Sequence, residues 1–193
     1  MTTGSIPITG EPEADRLLVD NPLALLIGML LDQQVPMEWA FRGPLTLQDR
    51  LGGSLDAETI AAMGPDKIEA IFRDKPAMHR YPGAMGRRTH ALCAYIVEHY
   101  GGDAVAIWRD APSGEEIYRR LRELPGYGEE KSKIFLAILG KRLGQGAPGW
   151  EEAAAPFSDA TPRSVAEVGS AESLARVRQF KRARKAEKKG KAD

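Results

Sequence analysis

The sequence of 193 residues contains a single cysteine, Cys93. A disulfide needs two cysteines, and four-cysteine zinc sites and iron–sulfur clusters need more, so this chain alone can build none of them. Aromatic residues are also few, at 7%, but 42% of the residues are hydrophobic. At this length that fraction is enough to bury a core, so we expect one domain, or two small lobes that share a core.

Long apolar runs are also missing. The longest extends from Leu23 to Leu31 and has about half of the length that a membrane-spanning helix needs. The first residues lack the basic segment that opens a secretory signal peptide and carry Glu11, Glu13 and Asp15 instead. The sequence therefore predicts a cytoplasmic protein without a membrane partner.

The chain has no net charge, with 27 basic and 27 acidic residues, but the two signs are unevenly distributed. Residues 176–193 contain nine basic and two acidic side chains and so carry seven net positive charges. The preceding 175 residues carry seven net negative charges. A basic arm on an acidic body has two interpretations that stay open here: a solvated, frayed terminus or a contact with nucleic acid.

Helical patterns dominate the chain. Asn21-Pro22 predicts a helix start, because asparagine caps a helix and proline suits its first position. The apolar residues that follow recur at the spacing of one buried helical face. Ser113 and Glu116 predict a second start with a capping box, and Gly101 predicts a helix end. Because no alternating run is long enough to indicate a strand, we predict an all-α fold.

The same patterns divide the chain into three parts: an N-terminal extension (1–20), a helical domain (21–170) and a basic C-terminal tail (171–193). Within the domain, the Gly/Pro/Ala-rich segment from Gln145 to Pro156 is predicted to be a loop. The tail has the pattern of a helix whose apolar stripe fades and leaves mainly charge.

The segment from Leu121 to Ile134 predicts two helices joined by a tight turn, Pro125-Gly126-Tyr127-Gly128. Two glycines permit positive φ angles and leave backbone N–H groups uncovered. Together with the N-terminus of the next helix, these groups favour a concave site that binds a phosphate. The alternative is a helix–helix corner in which the glycines only relieve steric crowding.

This hairpin resembles the helix-hairpin-helix of the base-excision DNA glycosylase superfamily that is named for the hairpin and its Gly/Pro…Asp signature (HhH-GPD). Three further segments resemble the family in its order: Asn21–Val35, Arg88–Gly102 and Ser158–Val165. The likeness extends over residues 20–170 and is greatest to the alkyl-purine glycosylase branch. It implies two helical lobes with a cleft between them, and a monomer that binds double-stranded DNA containing a damaged base, associated with the nucleoid when bound.

The resemblance also implies roles for individual residues. Asp159 would be the catalytic carboxylate, which stabilises positive charge on the deoxyribose and activates the attacking water. An aspartate at this place is also a good helix cap, and Asp32 is a weaker substitute carboxylate. The residues implied to contact the DNA backbone are Pro125, Gly126, Tyr127, Gly128, Lys131 and Lys133.

A base pocket is implied near the end of the first family-like helix. Its residues would be Gln33, Gln34 and Trp39, with Phe41 beside them. Amide groups read the edge of a flipped base and aromatic rings stack on its face. For Trp39 and Phe41 the alternative is a place in the hydrophobic core.

Position 130 bears on the type of reaction. Family members that also cleave the DNA strand place a lysine two residues after the second hairpin glycine, where its amine attacks C1′. Glu130 occupies that position here, and the next residue, Lys131, is turned by about 100° around the helix. The resemblance thus implies a monofunctional glycosylase that uses water, with no cofactor, no metal and no iron–sulfur cluster.

Two other functions stay open. A helix-hairpin-helix protein that binds DNA but has lost excision is favoured by Glu129 and Glu130, which would repel a phosphate at the hairpin. A helical protein whose basic tail contacts an acidic partner also fits the charge distribution. The turn at His79–Tyr81 is either a DNA-backbone contact or a solvated loop. Its basic neighbours are Arg73, Lys75, Arg87 and Arg88.

Overall fold

The computed structural model describes residues 4–190, and all regular structure in this part of the chain is helical. The α-helices are α1 (Pro12–Asp20), α2 (Pro22–Leu31), α3 (Met37–Arg50), α4 (Ala57–Met63), α5 (Pro65–Arg73), α6 (Pro82–Tyr100), α7 (Gly114–Glu123), α8 (Glu129–Leu143), α9 (Trp150–Ala153) and α10 (Ala171–Gly190). Two short 3₁₀ turns, Ala104–Ile107 and Val165–Glu167, complete the regular structure. The predicted all-α class is confirmed.

Helix α2 lies at the centre of the fold. Its residues Leu23 to Leu31 are all buried, because the helix packs against α1, α3, α6, α8 and the first 3₁₀ turn. The predicted single buried face was therefore too narrow, and an all-round apolar helix is what a central position requires. Among the described helices, none combines the length and the apolar character needed to cross a membrane.

The predicted helix ends are found where the local signals place them. The Asn21 side chain accepts a hydrogen bond of 3.0 Å from the backbone N–H of Leu23, and Ser113 Oγ accepts one of 3.2 Å from the N–H of Glu116. Gly101, at φ 60°, ends α6. The capping box is only half formed, because the Glu116 carboxylate instead binds Arg119 and Arg120 on its own helix.

The predicted N-terminal extension is part of the packed core. Ile6 and Ile8 are buried, and α1 packs against α2 and α3. The carboxylate of Asp15 accepts a hydrogen bond of 2.8 Å from the backbone N–H of Thr9, which fixes the preceding segment on α1. Residue 20 is therefore no boundary in the packing, and residues 1–3 of the predicted extension lie outside the described residues.

The predicted loop before position 156 contains a short helix. Trp150 starts α9 and rests in a slot walled by Gly114, Gly140 and Gly146, where an added Cβ on any of the three would come within about 2.5 Å of the tryptophan. Gly140 and Gly146 therefore make room for the tryptophan ring, and Gly114 makes room for its backbone. The loop prediction missed this packing, since Gly114 is 36 positions away from Trp150.

The predicted basic tail is a regular helix up to Gly190, and residues 191–193 lie outside the described residues. Val177 is fully buried, and Arg178 forms an ion pair with Glu38 of α3. These contacts fix the first half of α10 to the body of the protein. The interpretation of a frayed terminus is therefore wrong for this first half of α10.

Candidate functional site

A cleft of about 890 Å³ opens between the end of α2 and the start of α8. Its walls are built by the hairpin glycines Gly126 and Gly128, by the Asp32–Val35 segment and by the Arg163–Val165 segment. Three long basic side chains, Arg88, Lys131 and Lys181, also line it. The cleft thus joins residues from distant parts of the chain, including both ends of the predicted domain.

The two hairpin glycines have different tasks. Gly126 has φ 84°, and a Cβ at this position would lie 2.3 Å from Leu30 Cδ1, so only glycine lets the turn approach α2 this closely. Gly128 is extended, at φ −82°, and a Cβ there would meet open space. No side chain caps α8 at Gly128, so the N–H groups of its first turn face the cleft uncovered.

Two residues predicted to contact DNA instead fasten the hairpin to α2. The Tyr127 side chain is buried, and its hydroxyl donates a hydrogen bond of 2.7 Å to the carbonyl oxygen of Leu26. The Lys131 ammonium donates to the carbonyl oxygens of Met29 at 2.6 Å and Leu30 at 2.9 Å. The last carbonyls of a helix lack intrahelical partners and carry its negative end, so a cation is favourable there. Both side chains are thus engaged with α2 in this structure, and their contact with a phosphate stays a prediction.

His79 binds the next carbonyl group at the end of α2, that of Leu31. Its Nε2 lies 3.0 Å from the carbonyl oxygen of Leu31, and its Nδ1 accepts a hydrogen bond of 3.0 Å from the N–H of Tyr81. These partners place the proton on Nε2 of a neutral ring, and burial lowers the pKa of His79. This histidine therefore has a structural role and is not part of a solvated basic turn.

The carboxylate inside the cleft belongs to Asp32, the residue predicted as the weaker substitute. Asp32 is half-buried, and in the described part of the chain no donor is hydrogen-bonded to its side chain. Burial raises the pKa of Asp32, although the positive charges of Lys181 and Lys131 oppose this shift. Burial also lowers the pKa of Lys131, to about 8. The cleft lining therefore holds a carboxylate whose pKa is raised and a lysine whose pKa is lowered.

Asp159, the predicted catalytic residue, does not line the cleft among the described residues. Its two carboxylate oxygens accept hydrogen bonds of 2.9 Å from the N–H of Thr161 and 2.6 Å from Arg163, and the side chain is 48% exposed. The hydrogen bond from the Thr161 N–H is the main cause that lowers the pKa of Asp159. The structure places Asp159 in a local turn that starts no helix, since the next element, Val165–Glu167, is capped by Ser164, so the capping alternative is also wrong. Asp159 reaches the cleft only through Arg163.

Two of the three predicted base-pocket residues lie in the cleft. Gln33 accepts a hydrogen bond of 3.2 Å from Arg88, and Gln34 accepts one of 3.2 Å from the hydroxyl of Tyr81. Trp39 is 40% exposed and stacks on His79 outside the cleft lining. Phe41 is fully buried against Gly28 and belongs to the core, as its alternative interpretation stated.

Gln34 is held in an unfavourable backbone conformation. Its φ is 57°, and within residues 4–190 it is the one residue other than glycine with a positive φ. This conformation costs about 1–2 kcal/mol for a residue with a side chain. Such strain persists only where the surroundings impose it, and it is frequent at ligand sites.

Among the described residues, the remaining two predicted DNA contacts, Pro125 and Lys133, are not in the lining of the cleft. Pro125 is half-buried in the turn, and Lys133 pairs with Glu129 at 3.0 Å. Glu130 is exposed and lines the cleft. The sequence analysis assigned neither Arg163 nor Lys181 to this site. The available signal for Lys181 was the helical spacing of the basic residues at positions 181, 184, 185 and 188. Within residues 4–190, no group of three or more His, Cys, Asp and Glu side chains lies close enough to hold a metal ion.

Comparisons of the chain with protein-family models, with curated proteins and with solved structures gave no match. The resemblance to the glycosylase superfamily therefore stays a prediction, and the functional conclusion depends on the cleft itself.

Proposed function

We propose that this protein is a monofunctional DNA glycosylase that hydrolyses the N-glycosidic bond of a damaged base in double-stranded DNA. The observation that carries the proposal is the Asp32 carboxylate, which has no hydrogen-bond donor among the described residues and lies in a cleft beside Gln33, Gln34 and the open start of α8. A volume of about 890 Å³ is in the range of ligand-binding clefts. In this proposal a flipped nucleotide enters the cleft.

Asp32 takes the role that the resemblance gave to Asp159. Cleavage of the glycosidic bond develops positive charge on the deoxyribose, which a nearby carboxylate stabilises, and the same group accepts a proton from the attacking water. A carboxylate whose pKa is raised by burial is a better base than an exposed one. Asp159 is less suited, because both of its oxygens already accept hydrogen bonds.

The other cleft residues fit recognition of the nucleotide. The amide groups of Gln33 and Gln34 are placed to read the edge of a base. The uncovered N–H groups at the start of α8, with Arg88 at the rim, suit a phosphate.

The proposal of a monofunctional enzyme is supported at two positions. Glu130, which stands at the lysine position of strand-cleaving relatives, carries no amine. Lys131, the next residue along α8, is fastened to α2 by two hydrogen bonds to the carbonyl oxygens of Met29 and Leu30. Water is therefore the proposed nucleophile.

A second candidate function is a DNA-binding protein that has lost excision. It is favoured by the position of Asp159 outside the cleft and by the two carboxylates, Glu129 and Glu130, on the cleft wall. Both proposals use the same surface and differ only in the chemistry at Asp32.

Single-turnover excision assays separate the candidates. Duplexes that each carry one alkylated, deaminated or oxidised base are incubated with excess protein, and abasic product is revealed by alkali cleavage. The glycosylase proposal predicts abasic product from at least one duplex with the wild type and none with Asp32→Asn. Binding to the duplexes without product from any of them would favour the second function. Absence of DNA binding would contradict both and favour a protein partner.

A further inference from the structure

A second groove, of about 750 Å³, adjoins the cleft. Glu129, Glu130, Arg163 and Lys181 line both, so the groove continues the cleft outward along α10. Its outer wall is a row of basic side chains on α10, which we name the basic stripe. The stripe consists of Lys181, Arg184, Lys185 and Lys188. The spacing of i, i+3, i+4 and i+7 puts all four on one helical face.

The lining of the groove has a clear excess of positive charge. Together with Lys133 and Arg163, the basic stripe gives this lining six cationic side chains against two carboxylates. Two of the six are already paired, Lys133 with Glu129 at 3.0 Å and Arg163 with Asp159 at 2.6 Å. The four stripe cations face Glu130 as the remaining carboxylate of the lining, which leaves three net positive charges. For α10 itself, the ion pair found in the described part of the chain is the one between Arg178 and Glu38, which is not part of the stripe.

The stripe is held at a fixed place relative to the cleft. Val177 is buried in the core one turn before Lys181, and Arg178 is tied to α3 through Glu38. The stripe residues themselves are exposed. Over the seven residues from Lys181 to Lys188 the helix rises by about 10 Å. One strand of duplex DNA presents about three phosphates over that length.

We propose that the basic stripe binds the phosphate backbone of the DNA duplex whose nucleotide enters the cleft. The identity of this partner rests on the proposed function. The groove leads out of the cleft directly beneath the stripe, so the strand on one side of the flipped nucleotide lies along α10. This assigns the surplus of positive charge in residues 176–193 to one defined face of a helix.

The test compares two triple variants of the full chain that each remove three positive charges from α10. The first, Arg184→Gln/Lys185→Gln/Lys188→Gln, removes the stripe but keeps Lys181, which also lines the cleft. The matched control, Arg176→Gln/Arg182→Gln/Lys189→Gln, removes charge from the other faces. Kd for an undamaged duplex is measured from 50 to 200 mM salt, and circular dichroism checks the helix content of both variants.

We expect the stripe variant to weaken binding on the order of 10-fold or more, and to lower the slope of log Kd against log salt by about two to three, because each lost phosphate contact removes nearly one unit. The control variant should change the slope by less than about one unit. Equal losses in both variants would overturn the inference, since bulk charge would then explain the binding. Binding to polyglutamate is measured with the same variants. If the stripe variant loses as much affinity for polyglutamate as for DNA, the inference is overturned and an acidic protein partner is indicated.

Excision by the wild type is measured in parallel, so that the two proposals fail separately. A wild type that excises a base, together with a stripe variant that binds like the control, would overturn the inference alone. If the wild type excises no base but the stripe variant loses DNA binding, the result supports DNA binding by the basic stripe and contradicts the proposed glycosylase activity.

Discussion

The ammonium nitrogen of Lys131 lies 2.9 Å from the carbonyl oxygen of Leu30, across 101 positions of the chain. A second bond from Lys131 to Met29, and one from the Tyr127 hydroxyl to Leu26, fasten the start of α8 to α2. Because Asp32 directly follows α2, these bonds also set the distance between the candidate carboxylate and the hairpin turn.

Lys131→Met should change how stability depends on pH. Burial lowers the pKa of Lys131 to about 8 in the folded chain, while a lysine in the unfolded chain titrates near 10.4. Between these values the unfolded chain binds the additional proton, so the contribution of Lys131 to stability rises with pH. We expect the free energy of unfolding of the wild type, minus that of Lys131→Met, to grow by about 1–2 kcal/mol from pH 8 to pH 10.

Urea denaturation at the two pH values measures this difference. Lys133→Met, which removes a lysine outside the contact with α2, is the matched control. If the difference in free energy of unfolding stays flat or falls as pH rises, the pKa of Lys131 is not lowered by burial and the prediction is contradicted.

Borohydride should trap no covalent complex between this protein and a duplex with an abasic site. Attack on C1′ requires the amine to reach the sugar, whereas the Lys131 nitrogen is held at 2.6 Å and 2.9 Å from the carbonyl oxygens of Met29 and Leu30 on α2. Gel electrophoresis after reduction shows the outcome. A trapped band that disappears in Lys131→Ala would contradict the monofunctional mechanism.

The two hairpin glycines should respond differently to alanine. Gly126→Ala forces a side chain into a positive φ and against Leu30 Cδ1, so we expect a loss of about 2–4 kcal/mol in the free energy of unfolding. Gly128→Ala adds a methyl group in open space on an extended residue and should cost less than about 1 kcal/mol. Thermal and urea unfolding compare them, and equal losses would contradict the close approach of Gly126 to α2.

Which features could be predicted from the sequence depends on how far apart the interacting residues are. The caps at Asn21 and Ser113 were predicted, because a cap is decided within three or four residues. The hairpin was predicted for the same reason. The bonds of Lys131 and His79 to the end of α2 join residues separated by 48 positions or more, and no local pattern indicates them.

The candidate site shows the same division. Gln33 and Gln34 were predicted and lie in the cleft, because they directly follow a helix that was recognised. Asp159 was assigned by resemblance, but its hydrogen bond to Thr161, only two residues away, keeps it in a local turn. The capping alternative is not confirmed either, because the next element begins at Val165 and Ser164 caps it. Asp32 follows the same helix and was named as the weaker substitute, but its burial in the cleft beside Lys131 and Lys181 depends on the packing of α2, α8 and α10, which a sequence pattern does not show.

Gln34→Gly should separate stability from recognition. Glycine removes the cost of the positive φ, so we expect the free energy of unfolding to rise by about 1 kcal/mol. Base excision should fall, because the amide in the cleft is lost. Gln33→Gly is the control and should not stabilise the chain, since Gln33 has no positive φ to relieve. If urea denaturation shows a lower free energy of unfolding for Gln34→Gly than for the wild type, the claim of backbone strain at Gln34 is contradicted.

The central claim is that Asp32, and not Asp159, is the carboxylate that assists excision. Its most direct test is the single-turnover rate of base excision by Asp32→Asn and Asp159→Asn, on the duplex that the wild type processes fastest. We predict that Asp32→Asn lowers this rate by about 100-fold or more while Asp159→Asn changes it by less than about 10-fold, with DNA binding retained in both. A rate that survives in Asp32→Asn and is lost in Asp159→Asn would contradict the claim.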